Sequence, residues 1–353
     1  MKIRELFPDW IIKEDKNCVL LWYSTKRNGH NRKAFKFPDE IIVDSRFTEA
    51  IGLILGDGDM HRVEKCHFNY ASKDADISVF ILNFLRDRLL IKNEDITFTV
   101  RYRYRDPAIS TLALKLNVPP AYIKPRFSMR HNYAALQMQV NGVVFRKVLE
   151  KVIATFIKSN FLKNIELRRG FLRGLFAAEG CIGIKYNEGY INQIEFALSE
   201  KETELLDMLK EALNYEEIHF KTIYYAKTHH VSIIIQNWKN YLNCWKIGLF
   251  NRCERKKVSF LGVAKTCKVY AKVDSASLNQ LSIKFTQQEL AYLIGSWQGN
   301  VCRILQGKIL LSLRQIAILK DKDFNFSIKS LRIGNVTNLP YSEENKLLFI
   351  TSS

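Results

Sequence analysis

Two stretches, Ala50 to Gly58 (AIGLILGDG) and Leu172 to Gly180 (LRGLFAAEG), constrain the fold of this chain more than any other part of it. In each, small residues recur at i, i+4: Gly52 and Gly56 in the first copy, Gly174 and Ala178 in the second. At that spacing they share one face of a helix, and two such faces can pack almost backbone to backbone. Each stretch ends in one carboxylate, Asp57 or Glu179, followed by Gly58 or Gly180. Glycine most easily takes the left-handed turn that stops a helix, so that turn is expected at both ends. An acid at a helix C-terminus opposes the helix dipole, and its occurrence twice points to function. Packed together, the two helices bring two carboxylates to one rim of the molecule.

The echo extends beyond the helices. From Phe47 the first repeat reads as helix, two strands, helix, two strands, helix. His67 to Ser72 alternates as a strand, and SKDADISVFILNFLRDRLL follows as a helix. ITFTVRYRYR then places Ile96, Phe98, Val100, Tyr102 and Tyr104 on one face and Thr97, Thr99, Arg101, Arg103 and Arg105 on the other. Tyr133 to Val140 sets Gln137 and Gln139 opposite Leu136, Met138 and Val140, Asn141-Gly142 turns, and VVFRKVLEKVIATFI closes the unit as an amphipathic helix. After the connector Ile157 to Ile165 the order repeats: strands near Cys181 to Lys185 and Tyr190 to Leu198, the helix KETELLDMLKEAL, strands near Ile218 to Lys227 and Val231 to Gln236, and the helix WKNYLNCWKIGLF. Lys73 and Lys201 stand at matching places, each four residues before an apolar helix position. Such self-similarity indicates an internal duplication with a pseudo-twofold axis, which suits pseudo-symmetric DNA.

Charge points the same way. Lys+Arg 54 against Asp+Glu 36 gives +18 over 353 residues, so a polyanion is the first partner to consider. The charge is spread along the chain, with no long amphipathic basic helix and no uninterrupted apolar run of bilayer length, which favours nucleic acid over membrane. The start, MKIRELFPDWIIKEDK, lacks the apolar segment of a signal peptide. A cytoplasmic protein of a prokaryote, or an organellar protein of a eukaryote, is expected. The seven cysteines are scattered and never paired as CxxC, so no disulfide framework or zinc site is suggested.

Four regions follow: a basic extension at 1–44, repeats at 45–160 and 161–275, and a C-terminal region at 276–353. The extension carries Lys26, Arg27, Arg32, Lys33 and Lys36 in one loop, read either as a packing extension or as a phosphate-following segment. In the C-terminal region, Leu290, Ala291 and Ile294 share one helix face, Gly295 sits at a turn, and Val301 and Ile304 line a second helix that ends before Gly307. This is a helix-turn-helix pattern, with Gln298, Gly299, Asn300, Arg303 and Gln306 on the open side.

The paired helices resemble the signature of the LAGLIDADG homing endonucleases, and the order of both halves is similar to that family's αββαββα unit. The resemblance covers roughly Phe47 to Tyr270. It implies an α+β fold: a single-chain monomer whose two pseudo-symmetric units form a DNA-binding saddle, here followed by the small helix-turn-helix region. The family's metal-binding acids fall on Asp57 and Glu179, with Gly56 and Ala178 beside them, and its basic pocket residues on Lys73 and Lys201. Leu55 and Ala177 occupy the signature's non-catalytic acidic position, which in the family is often apolar, and suit tight packing better than acids would.

The chemistry can also be argued directly. Two carboxylates within a few ångströms tolerate each other only when a proton or a divalent cation neutralises them. Hard oxygen ligation suits Mg²⁺, or Mn²⁺. A metal-assisted phosphodiester hydrolysis needs no Ser, Cys or His nucleophile. Arg101, Arg103, Arg105, Gln137 and Gln139 are the expected DNA contacts of the first sheet, since Arg with guanine and Gln with adenine are the favoured pairings. In the second sheet Lys185, Gln193, Glu195, Lys221, Tyr225, Lys227, Ser232 and Gln236 are candidates, and in the tail Gln298, Asn300 and Arg303. The expected activity is cleavage of both strands of a long, nearly palindromic duplex. The alternative is a nucleic-acid-binding protein without cleavage, either a transcription regulator or a maturase acting on intron RNA.

Overall fold

The structure, a computed structural model, describes residues 1–22, 33–59, 67–103, 108–129, 134–185, 190–266, 269–322, 324, 326–333 and 336–339. It opens with a one-turn helix, α1 (Ile3–Leu6), and an antiparallel sheet of β1 (Ile11–Asp15), β2 (Cys18–Leu21) and β3 (Phe35–Pro38). Phe35 and Phe37 pack on Phe145 with ring centroids 6.0 and 6.3 Å apart, and Lys33 pairs with Asp95. The extension is therefore a packing element over its described residues; Lys26, Arg27 and Arg32 lie outside them.

The first unit comprises α2 (Ser45–Asp57), β4 (His67–Ser72), α3 (Ala75–Leu89), β5 (Ile96–Tyr102), α4 (Ile109–Leu116), β6 (Ile123–Phe127), β7 (Ala135–Asn141) and α5 (Val143–Ile157). Its sheet order is β4-β7-β5-β6, antiparallel except that β6 runs parallel to β5. The second unit comprises α6 (Ile165–Glu179), β8 (Gly180–Lys185), β9 (Tyr190–Ser199), α7 (Thr203–Tyr215), β10 (Phe220–Tyr225), β11 (His230–Ile235) and α8 (Trp238–Lys246), with sheet order β10-β11-β9-β8. The alternation read from sequence is the alternation of burial. Ile96, Phe98 and Val100 of β5, and Leu136, Met138 and Val140 of β7, are buried, while Thr97, Thr99, Arg101, Gln137 and Gln139 face outward.

The duplication holds in strand pairing. β4, β5 and β7 pair with one another as β9, β10 and β11 do, with α3 and α7 in the same place. Two departures from the expected αββαββα order occur in the first unit. Where the second unit has β8, the described residues show a single bridge, Gly58 to Tyr70, matching the pairing of Gly180 with Phe196. And where the second unit joins β10 to β11 by a turn, the first inserts α4 and β6. The sequence hides this strand because its centre is IKPRF: Pro125 lacks the donor an inner strand needs, and such a strand is tolerated only at an edge.

α2 and α6 meet along the small-residue faces. A Cβ on Gly52 would lie 2.5 Å from the Phe171 carbonyl oxygen, and one on Gly174 would lie 2.0 Å from that of Glu49. Gly170, one turn earlier, extends the seam against Thr48 Oγ1 at 2.2 Å. Both helices start at side-chain caps: Asp44 accepts from the Phe47 amide, and Asn164 from those of Glu166 and Leu167. The left-handed stop expected at the other end is not formed. Gly58 (φ −79°) and Gly180 (φ −82°) are extended. Glycine is required there by close approach instead, since a Cβ would meet the Ile54 carbonyl oxygen at 2.3 Å and the Phe176 ring at 2.1 Å.

After the second unit, α9 (Glu254–Thr266) packs against β8 and β9. The C-terminal unit contains β12 (Val269–Val273), α10 (Ser275–Lys284), α11 (Gln287–Leu293), α12 (Gln298–Leu305), β13 (Leu311–Ser312), α13 (Leu313–Lys320), β14 (Ile328–Ile333) and β15 (Val336–Leu339), with sheet order β13-β12-β14-β15. Because β12 pairs with β13 and β14, this unit begins at Val269, not at 276. Thr286 and Glu289 form a capping box at the start of α11. Leu290, Ala291, Ile294, Val301 and Ile304 are buried, and Gly295 (φ +61°) makes the turn between α11 and α12. Among the described residues no helix is long and apolar enough to cross a membrane.

Candidate active site

The seam brings the two acids together. A Cβ built on Gly56 would lie 2.5 Å from Ala178 Cβ and 3.0 Å from Glu179 Cγ, so the Glu179 side chain lies against the end of α2. Beside it opens a cleft of about 370 Å³ lined by Asp57, Lys73 and Asp74 from the first unit, Ala178 and Cys181 from the second, and Arg255, Lys256 and Ser259 from α9.

The two acids, Asp74 and Lys256 are each shifted by their surroundings. Part of Asp57 opens to the cleft, yet its carboxyl is crowded by protein. Desolvation pushes it up to about 6, opposed by Lys256, reinforced by Asp74 and opposed again by Lys73. Burial, then the charges of Asp57 and Glu202, push Glu179 up to about 7, with Lys256 again opposing. Two interacting acids share their protons, so these values belong to the pair. Lys256 is buried, its ammonium pushed down to about 8 by desolvation, and it donates to the Phe176 and Ala177 carbonyl oxygens at 2.7 Å each. Of its three donors, one is left for the cleft. Asp74 is opposite in character. Burial acts to raise its carboxyl, but paired hydrogen bonds from Arg255 at 2.9 and 3.0 Å leave it below its ordinary value. The Glu254 amide donates to Asp76 at 2.9 Å, so the start of α9 is clasped to the start of α3. Tyr70, directly under the cleft, has a buried hydroxyl without a partner among the described residues.

Asp57, Glu179, Gly56, Ala178 and Lys73 are thus gathered at one place. Lys201 is not. Its side chain is exposed beside Glu200 and His229 in another groove. Strand register explains the difference. Tyr70 and Phe196 are equivalent, since each pairs with the glycine after its acid, which makes Ser199 the counterpart of Lys73. Lys201 lies two residues further on, in the turn that follows β9. The second lysine of the cleft is Lys256, which the sequence reading missed. The basic run RCERKKVSF was visible, but not that its helix folds back beneath α6.

Most of the DNA-contact candidates lie at exposed or half-buried positions of the two sheets and α12, whereas Ser232 is buried. Arg101, Gln137 and Gln139 share the outward face of the first sheet, with Arg103 just beyond β5; Arg105 lies outside the described residues. Gln137 and Gln139 donate to Asn69 and Asn141. In the second sheet, Gln193 and Ser232 both donate to Glu195, at 2.8 and 2.5 Å. Lys185, Lys221, Tyr225, Lys227 and Gln236 are exposed. Gln298, Asn300 and Arg303 are exposed on α12.

The donor set fits a hard divalent cation: two carboxylates whose pKa values burial raises, flanked by the peptide groups of Gly56 and Ala178. Among the described residues no group of three or more His, Cys, Asp and Glu side chains could hold a metal ion. Further ligands would have to come from carbonyls, water and substrate.

Residues 166–237 match the family model described as LAGLIDADG-like domain. No curated protein matches. Among solved structures, I-DmoI in complex with DNA and Mn is 15% identical, with 58% of this chain and 97% of that chain covered and a TM-score of 0.33. I-WcaI bound to its DNA recognition sequence is 12% identical, covering 62% and 84%, with a TM-score of 0.35. Full-length DUF199/WhiA from Thermatoga maritima is 14% identical, covering 83% and 93%, with a TM-score of 0.35. The matched residues run from α6, through Glu179, to just past β11, and the second unit of this α+β chain is a LAGLIDADG-like domain.

Proposed function

We propose that the protein is a site-specific DNA endonuclease that hydrolyses both strands of a long duplex site with a divalent cation. The observation that carries this reading is the meeting of Asp57 and Glu179 at the ends of two interlocked helices, in a cleft that also holds Lys73 and Lys256. I-DmoI and I-WcaI were each solved bound to DNA, the former also with Mn.

Asp57 and Glu179, with the carbonyls of Gly56 and Ala178, would hold Mg²⁺ or Mn²⁺, which supplies charge neutralisation and an acidified water. The chain's own groups do the rest. One acid serves each strand. Lys256, poised between its charged and neutral forms, can hold or release a proton next to the attacked phosphate, and Lys73 offsets developing negative charge. The two outward sheet faces hold the duplex, Arg101, Gln137 and Gln139 on one and Gln193 and Lys221 on the other. α12 adds a contact through Gln298, Asn300 and Arg303. The protein acts as a monomer in the prokaryotic cytoplasm or in an organelle.

The test is selection from a duplex library in Mg²⁺, comparing wild type with Asp57→Asn and Glu179→Gln. Wild type should cut a recoverable site and neither variant should. A wild type that binds a specific duplex without ever cutting it sinks the nuclease reading in favour of a regulator; preferential binding of structured intron RNA would favour a maturase.

A further inference from the structure

The two sheets share three equivalent strands but differ at their edges, and so in where their cations stand. β6 is an added edge strand with no counterpart among the described residues of the second unit, and its parallel register sets Lys124 beside Thr99 and Arg126 beside Arg101. Registered neighbours share a face; of this strand only Ile123, beside Phe98, is buried, and Lys124 and Arg126 are exposed. The strand thus adds two cations to the face already carrying Arg101. The second sheet offers Lys221 on β10, the counterpart of β5, with Lys227 just beyond it and Lys185 on the opposite edge strand, β8. At its centre Glu195 sets a negative charge and occupies the donors of Gln193 and Ser232.

We infer that the inserted strand β6 is an asymmetric phosphate clamp, with Lys124 and Arg126 binding the backbone of the half-site over the first unit and no inserted strand to match them over the other half. This rests on the DNA-binding reading above and refines it: the duplex is gripped unequally by a fold whose halves are related by a pseudo-twofold. Each phosphate neutralised by a cation releases condensed counterions and contributes about 0.9 to the slope of log affinity against log salt. Removing both side chains should therefore lower that slope by about 1.8.

The experiment uses the full chain and a long mixed-sequence duplex in EDTA, with binding followed by fluorescence anisotropy over a salt series. Lys124→Ala/Arg126→Ala should bind more weakly at low salt, with the reduced slope, and each single variant should lose about half as much. Lys147→Ala/Lys151→Ala, on the exposed side of α5, is the charge-matched control and should leave the slope unchanged. On a duplex cut by wild type, hydroxyl-radical protection should weaken on one side of the cleavage point only. An unchanged slope, an equal loss in the control, or symmetric loss of protection overturns the clamp while leaving the nuclease reading intact. Failure of wild type to bind any duplex overturns both.

Discussion

With no cation bound, Asp57 and Glu179 should weaken the fold as they ionise. Their folded pKa values, about 6 and about 7, lie above the ordinary carboxylate range, so the native state holds their protons more tightly than the unfolded chain does. The stability they provide is present below about pH 4 and is lost as the pH rises through 7. In EDTA, Asp57→Asn and Glu179→Gln should therefore be more stable than wild type at pH 8, with the advantage gone at pH 4, as read by urea denaturation. Metal affinity should fall below about pH 7 by proton competition, which calorimetry would detect. Lys256→Met removes a charge that holds both acids down, so the pH dependence of cleavage should move to higher pH; an unmoved profile would remove Lys256 from the chemistry. Tyr70→Phe deletes an unpaired buried hydroxyl and should cost no stability. The acids and Lys73 were legible because each sits next to its own helix. Lys256 was not, because it lies far along the chain from the carbonyls of Phe176 and Ala177 that it binds.

The α2–α6 seam, at the scale of elements, depends on what its glycines lack. Gly174→Ala places a methyl 2.0 Å from the Glu49 carbonyl oxygen, with backbone on both sides, and should cost about 3 kcal/mol. Gly299→Ala on α12 meets nothing within 4 Å and should leave stability unchanged or raise it by about 0.5 kcal/mol. Equal effects in chemical denaturation would mean that the seam is looser than these distances. The small-residue periodicity announced this contact, and the outward residues of β5 and β7 followed from simple alternation. What periodicity could not supply was β6, whose proline masks a strand, or the extended exit of Gly58 and Gly180, which is set by the Ile54 carbonyl and the Phe176 ring.

For the whole molecule, the order of units along the chain is not their order in space. α9 follows the second unit but bonds to Asp74 and Asp76 of the first, while Glu49 of α2 is held by Arg173 of α6 and by Arg252. A chain ending at Thr266 keeps all of these contacts and should still cut DNA, with weaker binding for loss of α12. A chain ending at Arg252 loses Lys256 and Arg255 and should not cut, although both sheets remain. Comparing the two by cleavage and by anisotropy separates recruitment from chemistry. The boundary at 276 misled because a helix start is easier to read than the short strand before it, and β12 finds its partners only some forty or more residues later.

The clasp of α9 on α3 also bears on how such proteins could be recombined. A hybrid joining this first unit to another protein's second unit would inherit a foreign helix at Asp74, and with it a foreign partner for the acids. The interchangeable module is the second unit together with the residues on α3 that receive its trailing helix. A designer who cuts at the connector between α5 and α6 alone would leave the cleft without its own α9 partner for Asp74 and Asp76.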